Sequence, residues 1–136
     1  MATFRKHEHL KSPKLISALV AKGRSFTVQP VRLVWKESLL NTKAPAQVAF
    51  SVPKRNFPRA VDRNRIKRQL RECYREHKTK LYDFINASGK QYALMIVYTS
   101  RKALPFQELM LNFTLTLQHF EKDIKKHIEQ NNDPAD

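Results

Sequence analysis

Seven residues between positions 63 and 75 carry most of the chemistry legible in this 136-residue chain: Arg63, Asn64, Arg65, Lys67, Arg68, Arg71 and Arg75. A guanidinium group grips phosphate oxygens in bidentate fashion and also stacks on bases, so a run in which Arg outnumbers Lys favours nucleic acid over simple solubility. The run sits in a wider basic stretch. From Lys54 to Lys80 there are eleven basic residues against three acidic ones (Asp62, Glu72 and Glu76), a net +8 in 27 residues. Ordinary solvated helix faces mix signs for i,i+4 pairing; this one hardly does.

Residues able to break a bond are harder to find. A protein nuclease needs clustered carboxylates to hold metal ions, or a positioned histidine pair. Asp62, Glu72 and Glu76 lie among the arginines, where Glu72 and Glu76 are expected to pair with basic neighbours one turn away. His7 and His9 lie in the polar start of the chain with no evident partner. His77 falls on an apolar stripe and reads as a packed, satisfied histidine. No catalytic residue and no metal ligand is assigned. The single cysteine, Cys73, excludes an internal disulfide framework and a cysteine-based zinc site. Two glycines, Gly23 and Gly89, are too few for a glycine-rich phosphate cradle.

The arginines need a helix to align them. Ile66, Leu70, Cys73, Tyr74, His77 and Leu81 recur at three and four, which predicts a long helix from Arg59 to about Ile85 with those residues inward. Asn64, Lys67, Arg68, Arg71 and Arg75 project on the opposite side, Arg65 at its margin and Arg63 beside the apolar stripe. Before this helix, Ser12-Pro13 reads as an N-cap and first turn, and Leu15, Ile16, Leu19 and Val20 form an apolar face that Gly23 ends. Phe26 to Val28, Val31 to Trp35 and Ala46 to Val52 read as strands. After Gly89, the continuous apolar run Tyr92 to Tyr98 suits a central strand. A last helix is expected from Phe106 to about Ile128. The order is α-β-β-β-α-β-α, a two-layer α/β sandwich. Residues 1–128 read as one domain, with Met1 to Lys11 extended until something docks it and 129–136 as a flexible acidic tail.

Composition sets the outer bounds. Twenty-six Lys plus Arg against twelve Asp plus Glu leave +14, a charge that repels itself in a small domain unless a polyanion neutralises it. No apolar run approaches the roughly twenty residues that span a bilayer, and the polar start is not a secretory signal. A cytoplasmic location, a monomeric free protein and no membrane partner are the expectations.

The stretch Phe50 to Lys78, FSVPKRNFPRAVDRNRIKRQLRECYREHK, resembles the protein subunit of bacterial ribonuclease P. The pattern R-N-R-x-K-R-x-x-R-E is complete in Arg63-Asn64-Arg65-Ile66-Lys67-Arg68-Gln69-Leu70-Arg71-Glu72, seven specified residues in ten positions. Around it the order of elements also fits, from about residue 4 to residue 125. The resemblance implies a left-handed βαβ crossover through the long helix, where pattern alone would predict the usual right hand. It implies a large catalytic RNA as partner, which with Mg²⁺, bound mainly by that RNA, removes the 5′ leader of precursor tRNA. It places the Arg-Asn-Arg helix against the RNA and the leader in a cleft between the sheet and the first helix. Trp35, Lys54, Arg55, Ile16 and Val20 are the expected leader contacts, Trp35 as a stacking platform. Ile16 and Val20 stand where relatives often have aromatics, a departure from the family pattern; Pro53 stands where they usually have serine.

Three other classes are weighed against this reading. Charge and size alone would suit a ribosomal or other structural RNA-binding protein. A DNA-binding helix protein would need a short helix and turn before the basic helix, and DNA is not an expected partner. A metal-dependent nuclease would need the carboxylate cluster that is missing here.

Overall fold

Tyr92–Tyr98 (β4), apolar at every position, takes the interior of a four-stranded sheet, flanked on both sides and nearly all buried. The computed structural model describes residues 4–131. Arg24–Val28 (β1), Val31–Glu37 (β2) and Ala46–Ser51 (β3) complete the sheet in the order β1-β2-β4-β3. β1 pairs antiparallel with β2, and β2 with β4; β3 lies parallel to β4. A parallel pair requires a crossover connection. Here it is the long helix Ala60–Ser88 (α2). The chain begins with a 3₁₀ turn at Lys6–Glu8 and the helix Pro13–Lys22 (α1), and ends with Phe106–Asn131 (α3). The order of helices and strands agrees with the sequence pattern.

Local signals explain the boundaries. The Ser12 hydroxyl accepts from the Leu15 backbone N–H at 3.3 Å and caps α1, with Pro13 in its first turn. Gly23 ends α1 in extended conformation. A side chain there would lie 2.5 Å from the Leu19 carbonyl oxygen and 2.8 Å from Val34 Cγ1, so glycine is required by the close approach of helix to strand. Gly89 ends α2 differently, at φ 72°, the left-handed cap that glycine favours. α3 runs on through Glu129 to Asn131, into the stretch expected to be a loose tail, and residues 132–136 lie outside the described residues.

Alternate residues of a strand face opposite sides of a sheet. Leu33 and Trp35 of β2, Val48 of β3, and Leu94 and Ile96 of β4 join Ile66, Leu70, Tyr74, Phe113, Phe120 and Ile124 in the main core beneath α2 and α3. The intervening residues Val34 and Ala93 pack with Leu10 and Leu19 in a smaller cluster under α1, bordered by Ile16, Ala49 and Met95. The sheet and the α2–α3 pair thus form the two layers, with α1 across the reverse face.

Two expectations change. The start of the chain, expected to be extended or poorly ordered until something docks it, is docked by the protein itself from Phe4 onward; residues 1–3 lie outside the described residues. Phe4 packs edge-on against Phe50 and Tyr74, His9 bridges to Val48, and the Leu10 N–H donates to the Val48 carbonyl at 3.0 Å. The inward stripe of α2 contains Lys78 rather than His77. Adjacent positions 77 and 78 both border the stripe, and Glu8 of the docked arm draws the lysine in. Its Nζ donates to Glu8 Oε1 at 2.7 Å and to Oε2 at 2.9 Å.

Candidate nucleic-acid interface

The outward side of α2 carries Asn64, Arg65, Arg68 and Arg71 exposed and Lys67 half-buried. Among the described residues, none of Arg65, Arg68 and Arg71 forms an ion pair with a carboxylate. Like charges one turn apart repel, by roughly 0.2–0.5 kcal/mol for a pair on a helix, a repulsion that an anion from outside would relieve.

The two ends of the expected row behave differently. Arg63 turns back at the helix start, and its Nη1 donates to the carbonyls of Phe57 at 2.9 Å and Pro58 at 2.7 Å. That clamps the loop entering α2. Arg75 keeps only 23% of its side chain exposed and donates to Glu72 through Nε at 3.0 Å and through Nη2 at 2.5 Å, and again to Glu76 at 2.5 Å. The guanidinium holds the Glu72 carboxyl below its ordinary range, chiefly by hydrogen bonding. Asp62 is likewise engaged, by Arg59 Nε at 2.8 Å and Nη2 at 3.2 Å. The three carboxylates of the basic stretch each face an arginine, from three residues away or from the adjacent position.

Lys54 and Arg55 are exposed on the turn after β3, where the Asn56 and Phe57 N–H groups both donate to the Pro53 carbonyl. On the reverse sheet face, past the part that α1 covers, lies a half-open strip. Met95 and Val97 of β4, Ala49 and Ser51 of β3 and exposed Arg32 of β2 form it, in register. Ile16 borders the strip, packed near Ala49 and Met95, and Val20 is 74% exposed.

Trp35 does not join it. The ring is 1% exposed, on the face toward α3, with ring centroids 5.7 Å from Tyr92, 5.6 Å from Phe120 and 5.4 Å from His127. The expectation of a stacking platform is therefore corrected: Trp35 shares strand phase with Val31 and Leu33, and that phase faces the main core. The strip residues Arg32, Ser51, Met95 and Val97 were not singled out from sequence. Strand phase relative to Trp35 was the available signal, and β4, apolar throughout, hid it.

The remaining reactive side chains have structural partners. His77, beside the stripe rather than in it, sits between the Cys73 carbonyl, 2.8 Å from Nδ1, and Thr114 Oγ1, 2.9 Å from Nε2, and is a satisfied histidine. Burial, reinforced by Glu72 and Glu76, pushes the Cys73 thiol up to about 12, far from a nucleophilic thiolate. Among the described residues no group of three or more His, Cys, Asp or Glu could hold a metal ion. Among them, too, no helix is long and apolar enough to cross a membrane.

Compared with known proteins, the sequence matches the family model described as Ribonuclease P over residues 4–122. The chain belongs to the ribonuclease P protein family. It is 36% identical over 126 residues to the "Ribonuclease P protein component" of Chlorobium phaeobacteroides, covering 86% of each chain. It is 38% identical over 86 residues to the protein of the same description from Porphyromonas gingivalis, covering 62% of this chain and 63% of that one. The fold is similar to that of the ribonuclease P protein of Staphylococcus aureus, with a TM-score of 0.66 and 18% identity over 83% of this chain and 94% of that one. The Thermotoga maritima protein gives a TM-score of 0.62 and 15% identity over 82% and 96%. The ribonuclease P family match spans the docked arm, the sheet and α2, including every residue of the Arg-Asn-Arg motif.

Proposed function

We propose that this chain is the protein subunit of the ribonuclease P ribonucleoprotein, binding the catalytic RNA through the outward side of α2 and supporting endonucleolytic removal of the 5′ leader from precursor tRNA. The observation that carries the reading is the exposed, uncompensated row Arg65, Arg68 and Arg71 inside a complete Arg-Asn-Arg motif. Guanidinium forks on a rigid helix neutralise phosphates and fix the register of a folded RNA without reading its sequence. Asn64 and Lys67 extend that contact; Arg63 and Arg75 act from behind it, one clamping the entering loop and the other bound to Glu72 and Glu76.

The leader, in this reading, lies along the half-open strip beside α1. Ile16 and Val20 border it on the helix side, and Lys54 and Arg55 bring positive charge to the strand ends. Among the described residues no group of three or more His, Cys, Asp or Glu fits a Mg²⁺ site, and Asp62, Glu72 and Glu76 are engaged by Arg59 and Arg75. The Mg²⁺ of the reaction is accordingly assigned to the RNA, and the chain supplies positioning and charge neutralisation. The protein works in the cytoplasm, is a monomer when free of RNA, and has neither DNA nor a membrane as partner.

Reconstitution with a bacterial ribonuclease P RNA tests this. Protein, RNA and Mg²⁺ together should remove tRNA leaders, and protein freed of RNA should cleave nothing. Robust cleavage without RNA, or binding to ribosomal RNA but not to ribonuclease P RNA, would overturn it.

A further inference from the structure

Where the N-terminal ends of α2 and α3 come together, a groove of about 680 Å³ opens beside the arginine row. Its apolar walls are Phe57, Ile66, Leu104 and Phe106, and Arg65, Gln69 and Asp62, whose carboxylate Arg59 engages, stand among them. Phe106 is 37% exposed, a large ring left partly in water at the first turn of α3. Both walls are held. Arg63 clamps the Phe57–Pro58 carbonyls on one side. On the other, the Tyr98 hydroxyl donates to the Lys102 carbonyl at 2.6 Å and accepts from the Leu104 N–H at 3.0 Å.

We propose that this groove receives a single unstacked nucleobase of the partner RNA, with Phe106 as its stacking platform. The inference rests on the proposed role of α2 as the RNA-binding helix and adds to it a base-binding site. Three features select this occupant. The groove is continuous with the uncompensated arginine row through Arg65, so an RNA held by that row passes its mouth. The Gln69 amide offers a donor and an acceptor, the complement of a base edge. Phe106, 37% exposed, presents an aromatic ring at the edge of the groove. An apolar peptide would use the walls and leave the guanidinium and the amide unanswered. Unstacked bases set on an aromatic ring are a general mode of RNA recognition.

The test is titration of the full chain against a bacterial ribonuclease P RNA at several salt concentrations, with a photo-crosslinking phenylalanine analogue at position 106 in a parallel sample. Phe106→Ala and Phe106→Leu should each weaken binding by about tenfold, the loss of one stacked base. Phe106→Tyr should bind as the parent does. The dependence of log K on log salt should not change, since no charge is removed, whereas Arg68→Ala should make it shallower. The crosslink should map to one nucleotide. Phe106→Leu keeps apolar bulk at the helix start, so it decides the matter should Phe106→Ala lower the melting temperature. If Phe106→Leu binds like the parent while Arg68→Ala weakens binding, the base site is wrong and the RNA-binding helix stands. If the parent protein does not bind the RNA, both fall. If Phe106→Leu abolishes self-association in sedimentation and leaves RNA binding alone, the groove is a protein-docking surface and the inference is overturned.

Discussion

Glu8 and Lys78, seventy residues apart, form a bidentate ion pair inside the protein, with the lysine 8% and the glutamate 2% exposed. The Arg5 N–H donates to the same carboxylate at 2.6 Å, closing the 3₁₀ turn around it. Truncating one partner of a buried pair leaves the other charge facing apolar surroundings, at a typical cost of about 3–5 kcal/mol. Glu8→Gln should therefore lower stability by roughly that amount in denaturant titration. The double variant Glu8→Gln, Lys78→Met should recover most of the loss. Recovery of nothing would mean that the arm is held by Phe4 and Leu10 alone.

Acid should loosen the same arm in two stages. Burial works against ionised Glu8, but the hydrogen bonds from Lys78 and from the Arg5 N–H outweigh it and hold the carboxyl below its ordinary value of 4.5. Its stabilisation is complete above that value and is lost as pH falls through the lowered native one. Burial, with Lys11 and Arg71 nearby, also lowers His9 from 6.5, so the unfolded chain takes up that proton first and stability already declines below about 6.5. A melting-temperature profile should bend downward below pH 6.5 and again below 4.5, and Glu8→Gln should reduce the second bend, leaving the part that Glu72 contributes.

Trp35→Ala should damage folding. Removing a buried indole leaves a cavity beneath α3, at a cost of about 3–5 kcal/mol, whereas Trp35→Phe keeps most of the packing against Tyr92 and Phe120. Equilibrium unfolding of the RNA-free protein measures both. An unchanged melting temperature, with a selective loss of preference for leader-bearing tRNA, would return Trp35 to the leader site.

Arg65→Ala, Arg68→Ala and Arg71→Ala should leave the melting temperature of the free protein within about 2 °C, as exposed substitutions do. Combined, they should make the slope of log K against log salt shallower by about 2 to 3, at roughly 0.7–0.9 for each phosphate no longer neutralised. Arg75→Ala should change that slope far less, because Glu72 and Glu76 already neutralise the guanidinium.

Most of the fold was legible because periodicity reports burial. The apolar spacing of α2 and the unbroken run of β4 each located an element to within a few residues. Side-chain partners over long range were not legible. Nothing in the spacing of α2 distinguishes Lys78 from the outward lysines; only the docking of Glu8 does. Trp35 was misplaced because an aromatic at a strand end looks the same from either face, and only sheet register shows which face α3 covers. Arg63 and Arg75 belong to the basic row in sequence, yet the carbonyls of a loop and two carboxylates claim them in space.

The docking of the arm onto Val48, Phe50, Tyr74 and Lys78 also bears on the order in which the chain can fold. Residues 4–10 leave the ribosome before every surface they settle on. The counter-charge of Glu8 arrives only with the middle of α2. The arm thus becomes ordered only once α2 is in place, and it closes over the inner side of the helix whose outer side carries the arginines.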